Sequence, residues 1–300
     1  MNVVMEPLVD NGPIGGDDAA VASLPGARKP TYVLEPPRNV FDLGVKAVWE
    51  YRELLYFLIW RDVKVRYKQT VIGVSWVILQ PLLTTVVFTF VFGRLADIPS
   101  DGVPYPLLIF TALLPWNLFA SAIGRGGISV VSSANLVSKI YFPRLVLPLS
   151  SVLSPLVDFV VGFGVLIGMS FWYRSFPGWP VLALPLFVLL TLLTALAVVL
   201  WLASLNVRYR DVGHAIPFIV QLWMFVSPVV YPITEVPPAW RFAYGLNPMA
   251  GVIEGFRWAL LGKSHPDFRV IAASSIVVVI LLVPALLYFR RTERTFADIV

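Results

Sequence analysis

The sequence predicts an all-α integral membrane fold, with six membrane-crossing helices per protomer, an amphipathic interface helix before them, and a re-entrant helical hairpin between the fifth and sixth. Hydrophobic residues make up 58% of the 300 and charged ones 14%, too apolar for a surface that faces water. Six apolar runs are each long enough, at about 20 residues, to cross about 30 Å of hydrocarbon. The basic residues beside those runs fall unequally on the two sides, which orients them.

Residues 1–40 differ in kind from the rest. Gly12, Pro13, Gly15, Gly16, Pro25, Gly26, Pro30, Pro36 and Pro37 break any periodicity, so a flexible cytoplasmic tail is expected. It lacks the basic start, apolar centre and small-residue cleavage site of a signal peptide. Residues 41–69 place Val45, Val48, Trp49, Leu55, Ile59 and Val63 at three- and four-residue steps with charges between, the pattern of an amphipathic helix. The uncharged stretch from Leu54 to Trp60 is too short to cross, so this helix is expected along the membrane face, with Arg61, Lys64, Arg66 and Lys68 toward headgroups.

The membrane domain, residues 70–290, contains the six runs at 71–93, 103–124, 145–173, 181–205, 215–234 and 270–289, followed by a cytoplasmic end at 291–300. Only the third run holds a charge, Asp158, while Pro81, Pro115, Pro155, Pro217 and Pro228 are expected to kink or unwind their helices. Arg61, Lys64, Arg66, Lys68, Arg125, Lys139, Arg144, Arg208, Arg210, Arg290, Arg291 and Arg294 fall on one side. Arg94, Arg174, Arg241, Arg257, Lys263 and Arg269 fall on the other. The imbalance puts both termini in the cytoplasm.

Two connections carry further signal. The inner loop 125–143 opens on glycines and then turns amphipathic, as a short helix facing a partner would. The outer segment 233–268 contains apolar stretches at 242–253 and 258–262, too short to span and too apolar for a free loop. A re-entrant hairpin closing the outer mouth accommodates them, since protein would surround its irregular backbone.

Several chemistries are excluded. With no cysteine and only His214 and His265, thiol catalysis is ruled out and a built-in metal site is not expected. The net charge of +5 is spread as a topology signal, without the dense basic surface that tracks nucleic acid. Arg257–Ser264 imitates a phosphate loop but has Arg257 where the first glycine belongs, so no nucleotide is expected on this chain. Asp158 reads either as a proton relay or as a hydrogen-bonded buried acid, and no second intramembrane acid or histidine completes a relay.

Aromatic rings are dense in the first, second and fifth runs. Trp76 and Trp116 fall near the inner ends and Tyr105 and Tyr231 near the outer ends, with Phe110, Phe119, Phe218 and Trp223 in the same runs. Such rings either form the interfacial belts or present apolar faces and polar edges to sugars. The inner turn Arg208, Tyr209, Arg210 and Asp211 either anchors topology or offers guanidinium forks to the phosphate of a lipid carrier.

Six stretches in order carry a resemblance: RDVKVRYKQTVIGVSWVILQPLL at 61–83, LLPWNLFASAI at 113–123, NLVSKIYFPRLVLPL at 135–149, NVRYRDV at 206–212, QLWMFVSPVVYP at 221–232 and LNPMAGVIEGFRWALLG at 246–262. Together they resemble the permease subunit of ABC-2 type exporters for lipid-linked polysaccharides, the O-antigen, capsule and teichoic acid export family. The resemblance implies a homodimer in the inner membrane working with two copies of a separate cytoplasmic ATPase, which binds the ATP and magnesium. This chain would be non-catalytic and would hold no cofactor. Its cargo would be a polyprenyl-pyrophosphate-linked polysaccharide, with O-antigen of lipopolysaccharide placed first.

The same resemblance implies roles by position. Arg61, Asp62, Lys64, Asn135, Lys139 and Arg144 would receive the ATPase. Arg208, Tyr209, Arg210 and Asp211 would sit at the cytoplasmic entrance for the lipid phosphate. Trp76, Gln80, Tyr105, Phe110, Trp116, Phe119, Phe218, Trp223 and Tyr231 would line the channel, and Asn247, Pro248, Met249, Glu254 and Arg257 would form the outer gate. An ion-coupled transporter would need paired intramembrane carboxylates or repeated broken helices. A glycan-processing enzyme would need convergent acids, whereas Asp97, Asp101, Glu235, Glu254 and Asp267 are scattered.

Overall fold

The computed structural model describes residues 45–68, 75–100, 102–262 and 266–296. The tail read at 1–40, Lys263 and Ser264 of the imitation phosphate loop, His265 and residues 297–300 lie outside them. All regular structure among the described residues is helical. Among these residues five helices are long and apolar enough to cross a membrane: Ser75–Leu95, Tyr105–Gly126, Val146–Trp172, Trp179–Arg208 and Phe268–Thr295.

The interface helix expected over 41–69 is two helices, α1 (Val45–Glu50) and α2 (Arg52–Lys68), with a turn at Tyr51 between them. Its apolar residues do not segregate to one side. Leu58 and Val63 are buried, while Tyr56, Phe57, Trp60 and Val65 of α2 are exposed among its charged residues and Trp49 of α1 is exposed as well, so the outward surface mixes apolar and charged side chains.

The first run becomes α3 (Ser75–Phe88), which keeps Pro81 inside and then widens into a π-helix at Thr89–Leu95. α4 (Tyr105–Gly126) starts where Pro104 and Pro106 preset the first turn. It is the hub of the bundle, with 78% of its span buried against 6% for α3.

The inner loop folds as two short helices, α5 (Ser129–Ser132) and α6 (Ala134–Lys139). The third run divides into α7 (Val146–Leu153) and α8 (Leu156–Trp172), because Pro155 lacks the N–H that would continue the ladder. α9 (Leu184–Arg208) and α13 (Phe268–Thr292) are the two longest helices, at 25 residues each.

The fifth run departs from expectation. A span over 215–234 was predicted, yet α10 covers Asp211–Val226, only 16 residues. Ser227 takes an extended conformation, φ −98° and ψ 149°, as the residue ahead of Pro228 must. The outer apolar stretches read at 242–253 and 258–262 form instead α11 (Pro238–Gly245) and α12 (Pro248–Leu261). Asn247 sets that boundary by accepting the Met249 N–H at 3.1 Å, and Gly262 closes α12 with φ +62°.

Lipid tails are as apolar as leucine, so close packing and small residues, not water exclusion, bring such helices together. α12 is buried at every residue but Trp258, and it reaches that depth through glycine. A Cβ on Gly255 would fall 2.1 Å from the Phe187 ring of α9, and one on Gly251 would fall 2.6 Å from Ser274 Cβ of α13. One apolar core joins α4, α8, α9 and α12, and a second at the other end of α9 joins Leu58, Val137, Phe142, Val146, Phe289 and Phe296.

Candidate functional site

At one end of the bundle the breaking of α10 creates a chemical problem. The backbone from Val226 to Tyr231 leaves the helical ladder, and its carbonyls, most of them buried or partly buried, need new donors. Four are answered by side chains. Asn247 Nδ2 donates to Val226 O at 3.3 Å, Arg257 Nη2 to Val229 O at 3.0 Å, Tyr105 Oη to Val230 O at 2.6 Å, and Arg257 Nη1 to Tyr231 O at 2.9 Å.

Further bonds lock the cap of α12 into this turn. Trp223 Nε1 donates to Asn247 Oδ1 at 2.9 Å, and Asn247 Nδ2 also donates to Ser227 Oγ at 2.9 Å. Ser274 Oγ of α13 donates to the Gly245 and Asn247 carbonyls and accepts the Gly251 N–H. Tyr231 and Tyr244 hydroxyls bond to each other, and burial, then that bond, raise the Tyr244 phenol above its ordinary pKa.

Of the residues expected at the outer gate, Asn247 and Arg257 thus brace the broken segment, Pro248 and Met249 begin the buried helix, and Glu254 is buried one turn before Arg257. The sequence marked these positions but not their targets, since a backbone carbonyl leaves no trace in composition.

The residues expected to line a channel separate into two groups. Phe110, Trp116 and Phe119 are buried within the protomer, and Phe119 packs edge-on against Trp223 with centroids 5.1 Å apart. Trp116, Phe119, Trp223 and Asn247 therefore form one packed column from α4 to the braced turn. Tyr105, as noted, holds that turn from beneath. Trp76 and Gln80 on α3 and Phe218 on α10 are exposed on the surface of the protomer.

At the opposite end α2 is fastened to the membrane helices by charge. Arg66 Nη1 and Tyr67 Oη both donate to the Asp158 carboxylate of α8. Asp158 is thus a hydrogen-bonded acid, and Arg66 turns to it instead of to headgroups. Burial first, and then the bond to Asp158, push the Tyr67 phenol up to about 12. The partners lie 92 and 91 residues apart in the chain, and no local pattern announces them.

Around that fastening lie the residues expected to meet an ATPase. Arg61 pairs with its neighbour Asp62 at 2.8 Å, Lys64 is exposed, and Asn135 and Lys139 are exposed on α6. Arg144 instead donates to the Glu293 carbonyl, tying the start of α7 to the end of α13. Between α2, α5 and α7 opens a cavity of about 440 Å³ lined by Arg61, Asp62, Arg66, Arg125 and several serines. Arg208, Tyr209, Arg210 and Asp211 are all exposed at the turn from α9 to α10.

Both ends fall inside one stretch of family similarity. The ABC-2 type transporter family matches residues 53–261, from the first turn of α2 to the last residue of α12. The chain belongs to that family. Among ABC-2 relatives, an O-antigen export system permease protein of Myxococcus xanthus is 30% identical over 259 residues, covering 85% of this chain and 98% of the relative. A protein of the same name from Klebsiella pneumoniae is 28% identical, covering 83% and 95%. The polysialic acid transport protein of Escherichia coli is 19% identical over 67% of this chain and 78% of its own length. The ABC-2 match includes both the braced turn and the basic cavity, and leaves α13 outside.

Proposed function

We propose that this chain is the membrane permease of an exporter that carries a polyprenyl-pyrophosphate-linked polysaccharide across the inner membrane, driven by ATP hydrolysis in a separate subunit. The observation that carries the proposal is the similarity to permeases named for O-antigen export over more than four fifths of this chain. O-antigen is accordingly the first choice of cargo. Capsular polysaccharide is the second reading, favoured by the more distant polysialic acid transport relative.

In this reading six segments cross the bilayer. α10, at about 1.5 Å per residue, supplies roughly 24 Å, and the extended stretch that follows makes up the remaining depth while side chains satisfy its carbonyls. α11 and α12 then form the outer gate hairpin. α1 and α2 lie on the cytoplasmic face, where exposed Trp49, Tyr56, Phe57 and Trp60 suit the headgroup boundary. Both termini are cytoplasmic.

Two protomers and two ATPase subunits complete the assembly. The apolar surfaces of α3 and α10, including Trp76 and Phe218, face the conduit or the second protomer. Arg61, Asp62, Lys64, Asn135 and Lys139 meet the ATPase, which alone binds ATP and magnesium. Closure of the ATPase pair moves the protomers as rigid bodies through these inner helices. Arg208 and Arg210 attract the lipid phosphate at the cytoplasmic leaflet.

A strain deleted for this chain tests the reading. Long-chain glycan should disappear from the surface, accumulate on its lipid carrier inside, and return when the wild-type gene is restored. Undiminished surface glycan would overturn it.

A further inference from the structure

We infer that the end of the chain is a strap that positions the inner helices: Arg144, Glu293 and Phe296 hold α2 and α6 in one arrangement, ready for a partner that must engage both. That the partner is the ATPase rests on the function proposed above. The strap itself does not.

The segment lies beyond the family match, which ends at residue 261. After α13 the chain tightens into a 3₁₀ turn at Glu293–Thr295. Chain ends fray unless side chains tie them down, and here three do. Phe296 is 0% exposed and packs edge-on against Phe289, with centroids 5.4 Å apart. Arg290 Nη1 donates to Glu293 Oε1 at 2.7 Å. Arg144, at the start of α7, donates to the Glu293 carbonyl, and the same carbonyl accepts the Phe296 N–H. The arginine that follows the inner loop and the buried phenylalanine are therefore fixed through one atom.

What the strap holds follows from where Phe296 goes. Phe289 and Phe296 are the two largest fully buried side chains of the inner core. Among the described residues, that core takes one buried side chain from α6, Val137, and one from α2, Leu58. Leu54, Leu55 and Leu136 pack partly against it. α6 has six residues, too few to be stable as an isolated helix, so its placement comes from the core it joins. A close-packed core transmits the loss of a ring to everything seated on it. α2 has a second fastening at Asp158, so α6 is the helix expected to loosen first.

The Arg290 and Glu293 side chains are 12% and 14% exposed. Such a pair adds little net stability; its consequence is that the turn has one geometry in which the charges meet. Arg144, expected from the resemblance to receive the ATPase, is in this account a positioning residue that acts through the strap.

The chain has no cysteine, so spin labels can be placed without background. The test puts them at two exposed positions, Glu53→Cys on α2 and Ser138→Cys on α6, in the full chain in nanodiscs. Labelled chain is diluted into unlabelled chain so that one protomer per disc carries the pair. Pulsed electron resonance should give one narrow distance distribution. Phe296→Ala should broaden it about twofold, as the population spreads over several arrangements. Phe296→Leu, which keeps most of the apolar volume, should leave it narrow, and Arg144→Gln should broaden it. In unlabelled Phe296→Ala, half-saturation by the ATPase should rise roughly tenfold at unchanged maximal binding, as when the competent arrangement is populated about a tenth of the time.

An unchanged distribution in Phe296→Ala would overturn the strap. So would a loss of maximal binding at unchanged half-saturation, the mark of a chain that merely unfolds. Weaker ATPase binding by Arg144→Gln with a narrow distribution would mean that Arg144 touches the ATPase itself, and would remove it from the strap. The distance measurement uses no ATPase, so the strap and the export reading fail separately.

Discussion

Arg257 and Asp158 show how single side chains hold irregular structure in a low-dielectric setting. Arg257 is 3% exposed and serves two carbonyls of the broken segment. Arg257→Gln should cost about 2–3 kcal/mol, the scale of lost charged hydrogen bonds, read as a lower melting temperature of the detergent-solubilised protein. Asp158 and Arg66 form a mostly buried pair, with side chains 21% and 16% exposed. Removing either partner alone should cost about 2–4 kcal/mol, whereas Arg66→Leu with Asp158→Leu should restore most of that loss. A thermal double-mutant cycle measures the difference. Because burial and Asp158 raise the Tyr67 phenol to about 12, its contribution is complete below the unfolded value of about 10 and is lost as pH climbs through about 12. Phenolate absorbance, compared with Tyr67→Phe, should show one late-titrating tyrosine. Asp158 was legible in the sequence as a costly acid; Arg66 and Tyr67 were not legible as its partners, because only the fold joins positions 92 residues apart.

Among the elements, legibility followed the physics that hydropathy reports. The runs at 103–124, 181–205 and 270–289 appear as α4, α9 and α13, since unbroken apolar sequence and internal hydrogen bonding agree there. The run at 215–234 has the same composition yet breaks at Ser227; hydropathy alone does not weigh the missing N–H of Pro228, whereas the proline itself marked the place where the helix was expected to unwind. The burial of α12 was hidden. Its apolar stretches were visible, but its depth comes from glycines meeting specific neighbours. Gly255→Ala should therefore destabilise the protein by about 1–3 kcal/mol through overpacking against Phe187. Gly164→Ala in α8, with open space at its Cβ position, should be neutral or slightly stabilising. Comparing the two melting temperatures checks whether close approach, and not glycine content, is what α12 requires.

At the scale of the whole molecule, burial is distributed by role. α4 and α12 form the buried interior, while α3 and α10 carry apolar side chains outward. Exposed charge lies on α2, α6 and the turn between α9 and α10, the places proposed above to meet the ATPase and the lipid phosphate. Arg208→Ala with Arg210→Ala should lower export several-fold while leaving folding and ATPase association unchanged, measured by surface glycan and co-purification. Aromatic positions were found in the sequence, but which of them face outward was not, since ring type alone does not separate packing from lining. The central claim is that the conduit lies in this chain and the energy source in its partner. The most direct measurement is transport of lipid-linked glycan in reconstituted vesicles. Translocation should require this chain, the ATPase and ATP together, and translocation by this chain alone under an ion gradient would contradict the account.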